Sequence, residues 1–105
     1  MLTSKVPLVF CFDIDETLCT SPGIDYELAM PISERIVKVN SLYAEGHTIK
    51  LYTARGSKTG KDLMEFTKNQ LEAWGLNYHE LAFGKPFADF YIDDKAINSD
   101  NFDWA

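Results

Sequence analysis

An α/β fold built on a parallel sheet is what this sequence predicts, and three observations predict it. The segments read in the order strand, helix, strand, helix, strand, strand, the alternation that builds βαβ units. The first apolar run, Leu8-Val9-Phe10-Cys11-Phe12, is near-continuous, as expected of a central strand covered on both faces. The residues able to do chemistry fall where the strands end, the edge at which open α/β sheets bind ligands. At 105 residues the chain forms one domain, 1–105, large enough to bury roughly two thirds of its unfolded surface.

Each element has its own signal. Residues 8–12 form the first strand. Over 31–45 the apolar residues Ile32, Ile36, Val39, Leu42 and Tyr43 recur at helical spacing, and Gly46 supplies the stop. Residues 48–52 form a second strand that ends at Thr53. A second helix is expected from about Thr59, where Thr59 with Asp62 resembles a capping box, through Leu63, Phe66, Leu71 and Trp74 to Gly75. Residues 81–83 give a short third strand, and 90–92 a fourth that runs into Asp93 and Asp94. The two helical connections are expected to be right-handed crossovers. Residues 98–105 are polar with two aromatics, Phe102 and Trp104, and have no predicted element.

Composition narrows the function classes. The chain is 46% apolar and 25% charged, ordinary for a soluble globular protein, and its 13% aromatic content argues against disorder. A net charge of −6 speaks against a nucleic-acid or anionic-membrane surface. It does not exclude an anionic substrate, because a divalent cation and a few local Lys or Arg residues can invert the sign at a site. Cys11 and Cys19 suggest neither a disulfide nor a zinc spacing. With no signal-peptide pattern and no run of ~20 apolar residues, a cytoplasmic location is expected. His47 and His79 lie near element ends and read as structural or solvated.

The chemistry centres on Asp13-Ile14-Asp15-Glu16-Thr17, directly after the first strand. Residues two apart in an extended segment share a face, so Asp13, Asp15 and Thr17 can converge while Ile14 turns inward. Two carboxylates 4 Å apart repel by roughly 4 kcal/mol at an effective dielectric near 20, which calls for a cation or a proton beside them. Thr53, Lys85 and the pair Asp93-Asp94 follow later strands to the same edge. Arg55, two residues after Thr53, is suited either to clamping a substrate anion bidentately or to a structural ion pair. The stretch Gly56-Ser57-Lys58-Thr59-Gly60 lacks P-loop spacing and reads as a flexible loop.

These four blocks, in this order, resemble the haloacid dehalogenase (HAD) superfamily of phosphohydrolases over residues 8–98. Its pattern is an Asp-x-Asp-x-Thr box, a Thr or Ser after strand 2, a Lys, and an acidic pair after strand 4. The resemblance implies a Rossmann-like parallel sheet of strand order 3-2-1-4, with helices on both faces and an aspartyl-phosphate mechanism. Asp13 would be the nucleophile and Asp15 the general acid and base. Thr53 and Lys85 would bind the transferring phosphoryl oxygens. Mg²⁺ would be held by Asp13, Asp15 through its backbone carbonyl, and Asp93, with Asp94 behind them. Thr17 would brace the loop. Glu16 stands where many members have Gly.

The segments 18–30 and 54–84 leave no room for the cap domain of larger members, so the likeness is to a capless form. Pro22-Gly23-Ile24-Asp25-Tyr26 would be the flap beside the site, and a capless form implies either action on a macromolecule or a lid borrowed from a neighbouring copy in a homo-oligomer. Further stretches, among them residues 26–31, 42–47, 53–56 and 96–98, resemble small bacterial phosphatases associated with capsule and lipopolysaccharide sugar pathways. The expected function is a Mg²⁺-dependent phosphomonoesterase acting on a sugar phosphate. A capless protein-serine phosphatase, favoured by the Asp-Glu-Thr of the pentad, is the alternative. A non-enzymatic phosphoacceptor signalling domain gathers similar residues, but in another order and without a base two residues from the acceptor.

Overall fold

The computed structural model describes residues 6–105. Strand β1 (Val9–Phe12) is followed by a two-stranded antiparallel ribbon, β2 (Cys19–Thr20) with β3 (Met30–Pro31), then helix α1 (Ser33–Ala44) and strand β4 (Thr48–Thr53). Helix α2 (Met64–Ala73) and strand β5 (Glu80–Phe83) complete the regular elements, apart from single 3-10 turns at Tyr26–Leu28 and Ser99–Asn101. The main sheet is parallel with order β1-β4-β5, in the register Phe12 opposite Leu51 and Leu51 opposite Leu81. The predicted strands 1, 2 and 3 are therefore adjacent in the order 3-2-1.

Alternation along these strands decides which face is core. Phe12, Ile49, Leu51 and Thr53 are buried, with Leu81 half-buried beside them. Against that face pack Ile36, Val39 and Leu42 of α1 and Leu71 of α2. Strands that advance in one direction through crossovers of one hand put both connecting helices on the same side. The opposite face, where Lys50 pairs with Glu80 at 3.5 Å and Val9 is 64% exposed, carries no helix among the described residues. The expectation of helices on both faces is corrected accordingly, and so is that of a central first strand. β1 is an edge strand.

The fourth predicted strand is not formed. Phe90 and Ile92 are 83% and 98% exposed, and residues 90–92 join no ladder. Seating them beside β1 would bring Asp93 and Asp94 to a rim that already holds Asp13 and Asp15. The rim's two cations, Arg55 and Lys85, already face those acids, so the added charge would be uncompensated. Helix α2 also starts later than its pattern suggested. Gly60, at φ +76, sits in the left-handed region that breaks a helix, and Asp62 caps from outside by accepting the Met64 N–H at 3.1 Å.

The tail, by contrast, is anchored. The Phe102 ring meets Phe10 and Phe12 edge-on, Trp104 lies 5.8 Å from Phe12, and the Arg35 guanidinium covers Trp104 at 4.7 Å. The Trp104 indole N–H also donates to the Ser99 carbonyl at 2.8 Å. Trp104→Ala is therefore expected to lower stability by about 2 kcal/mol, measured as a drop in the urea midpoint at constant slope. Both histidines are structural: the Nδ1 of His47 accepts the Leu8 N–H and that of His79 the Ile49 N–H, each at 3.0 Å.

Candidate active site

β1 ends at Phe12 and delivers Asp13 to the carboxyl edge of the sheet. The chain then folds back in a tight loop, with Leu18 N–H on the Ile14 carbonyl at 2.8 Å and Glu16 N–H on the Cys19 carbonyl at 2.8 Å. This turn buries Ile14 completely and leaves Asp13 and Asp15 on the cavity side. It also places Glu16 at φ 62, a left-handed conformation uncommon for a residue with a long side chain. The Glu16 Oε1 accepts the Ser21 N–H at 2.9 Å, which fixes the entry to the flap.

A cavity of about 290 Å³ opens here, lined by Asp13, Asp15, Glu16, Ser21, Gly23, Tyr26, Ala54 and Arg55. Its size is near the low end for small-molecule sites. Gly23 and Tyr26 of the segment 22–26, which runs between β2 and β3, contribute to the wall.

Asp13 is half-buried, and Lys85, just past β5, brings its Nζ within 3.8 Å of Oδ2. Burial pushes the Asp13 carboxyl above its usual range, against the opposing pull of Lys85 and the Ile14 N–H, while the Asp15 charge adds to the rise. The Lys85 ammonium also lies 4.4 Å from the centre of the Tyr91 ring, whose hydroxyl donates to the Pro86 carbonyl. The Asp13–Lys85 pairing joins the ends of two strands that are not neighbours in the sheet.

Asp15 is held by Arg55 through a two-pronged pair, Nε to Oδ2 and Nη2 to Oδ1, both at 2.9 Å. Ser21 Oγ at 3.1 Å and Cys19 Sγ at 3.5 Å donate to the same Oδ1. The Arg55 side chain is 0% exposed. Its Nη1 donates to Thr67 of α2 at 3.2 Å, its backbone N–H to the Thr53 hydroxyl at 3.0 Å, and the Tyr26 ring covers it at 4.6 Å. Gly56 makes this path possible: at φ +80, an added Cβ would stand 2.3 Å from the Lys61 carbonyl oxygen.

Two expectations change here. Arg55 forms the ion pair of its two readings, turned onto Asp15 and Thr67 with three of its five donors. Thr53 is fully buried and is not part of the cavity wall; its hydroxyl shapes the Arg55 loop. Cys19, likewise buried, has its thiol pushed up to about 12, by burial first and the Asp15 charge second. It is an unreactive donor.

Asp93 and Asp94 are not brought to the site. The Lys95 N–H on Asp93 Oδ1 at 2.8 Å holds that carboxyl below its usual range, and Asp94 lies 3.9 Å from the Lys95 ammonium. Among the described residues no three acidic, histidine or cysteine side chains gather to hold a metal ion. Mg²⁺ takes an octahedron of oxygens. The residues as placed offer one carboxylate, Asp13, already beside a lysine, while Asp93 is held elsewhere, and this set does not fit that ion.

The sequence did not single out Ser21 or Thr67, which no spacing distinguishes from ordinary surface hydroxyls. Glu16 had a signal of its own, a long charged residue at a position that the resemblance gives to Gly. No protein-family model matches the sequence, and no curated protein matches it either. Among solved structures, the chain is similar to a crystal structure of a structural-genomics target from Vibrio cholerae. The TM-score is 0.77 and the identity 25%, over 88% of this chain and 84% of that one. The small α/β fold with a three-stranded parallel sheet is accordingly one that this chain shares with a solved protein.

Proposed function

We propose that this chain is a phosphomonoesterase that works through an aspartyl-phosphate on Asp13. The observation that carries the reading is the pairing of a half-buried strand-end carboxylate with Lys85, at a cavity whose next acid, Asp15, is rigidly held. An Asp13 oxygen attacks phosphorus and forms a P–O bond as the ester P–O bond breaks, and the leaving oxygen takes a proton from the Asp15 carboxyl, which recovers one from the water of the second step. Water then splits the acyl phosphate, returning the carboxylate and releasing inorganic phosphate. The Lys85 ammonium neutralises charge on the phosphoryl oxygens. Asp15 accepts a hydrogen bond from the Ser21 hydroxyl in the cavity wall, and a substrate oxygen that replaced this hydroxyl would sit where Asp15 can exchange a proton with it.

The favoured substrate is a sugar phosphate. Magnesium enters this reading only with a rearrangement of residues 84–98. Pairing of 90–92 on the free edge of β1 would give the order 3-2-1-4 and carry Asp93 toward Asp13. The experiment is a phosphatase screen over sugar phosphates, nucleotides and phosphopeptides, with and without Mg²⁺, alongside hydrogen exchange over 84–98. Turnover of sugar phosphates, with Mg²⁺ raising both the rate and the protection of 90–92, is the expected result. Hydrolysis of phosphopeptides alone would transfer the reading to a protein-serine phosphatase. No turnover of any ester would overturn it.

A further inference from the structure

We infer that the site selects a phosphate ester whose leaving group is uncharged and bears hydroxyls, and that Glu16 enforces the selection; this rests on the phosphatase reading. Negative charge is left over in the cavity wall after pairing. The wall holds three carboxylates, Asp13, Asp15 and Glu16, against a single cation, Arg55. Arg55 is already committed: Nε and Nη2 are on Asp15, Nη1 is on Thr67, Tyr26 covers its face, and with the side chain 0% exposed its remaining N–H groups are closed off from solvent. Lys85 stands at Asp13, where the phosphoryl group itself must lie. A second anionic group on the leaving portion would therefore meet Glu16 with no counter-charge, a like-charge juxtaposition that rejects a ligand.

Hydroxyls meet the opposite situation. A carboxylate offers about four lone-pair sites, and the Ser21 N–H occupies one position on Glu16 Oε1, so acceptor capacity is left for a polyol. The backbone supports a functional reason for this residue. A glutamate held at φ 62 occupies strained territory that tends to persist at binding and catalytic sites.

The test compares kcat/KM for a hexose 1-phosphate and the matching hexuronate 1-phosphate, with p-nitrophenyl phosphate as reference, in the wild type and Glu16→Gln. The wild type is expected to prefer the neutral sugar by about fivefold, as one uncompensated charge close to the exposed Glu16 carboxylate implies. Glu16→Gln should shrink that ratio through a lower KM for the uronate, and so should added salt in the wild type. A wild type indifferent to the uronate, or a ratio that neither Glu16→Gln nor salt alters, would overturn the inference while leaving the phosphatase reading intact. Failure to hydrolyse even p-nitrophenyl phosphate would overturn both.

Discussion

Asp13→Asn is expected to reduce turnover by about 10³-fold or more while the protein stays folded and becomes slightly more stable at neutral pH. The amide has the shape of the carboxylate but cannot attack phosphorus. The stability gain follows from the sign of the carboxyl's displacement. Burial raises it in the folded state, so Asp13 favours folding while it is protonated, at acid pH, and that contribution is lost as pH rises through the folded value. Above that value the charged form is a net burden, which asparagine removes. Thermal unfolding of the two proteins should therefore differ at pH 7 and converge in acid. The same displacement places the acid limb of the wild-type pH–rate profile above the usual carboxylate range. Undiminished activity in Asp13→Asn would refute the nucleophile assignment.

Arg55→Met should produce the largest loss of stability, about 3 kcal/mol, near the lower end for breaking a buried ion pair because Asp15 retains some solvent contact. For a domain of this size that corresponds to a melting temperature lower by about 15 °C. The loss comes from stranding the Asp15 carboxylate, unseating Thr67 and uncovering Tyr26 together. Arg55→Lys should restore only part of it, since an ammonium cannot match both carboxylate oxygens with a planar fork. In a double-mutant cycle, Asp15→Asn with Arg55→Met should be much less harmful than the sum of the two single changes. Additive losses would mean that the pair contributes little and that Arg55 acts mainly by filling space.

Strand and helix identities were readable wherever periodicity was strong. The runs at 8–12 and 48–52 and the helical pattern of α1 all appear within a residue or two of where their residues indicate. Asp13, Asp15 and Lys85 were readable as a constellation because all three lie within three residues of a strand's carboxyl end, and strand ends in a parallel sheet converge. The side chains' commitments were not readable. Arg55 has the same formula whether it waits for a substrate or grips Asp15, and only the loop through Gly56 and the hydroxyl of Thr67 decide. The segment 90–92 has the residues of a strand, but a strand also needs an edge and a charge balance that local sequence does not express. Phe102 and Trp104 lacked any pattern because their partners, Phe10, Phe12 and Arg35, lie more than sixty residues away.

That last arrangement has a practical side. The indole of Trp104 lies against the ring of Phe12, immediately before Asp13, so in a chain whose Trp74 is replaced its emission would report on the strand that presents Asp13.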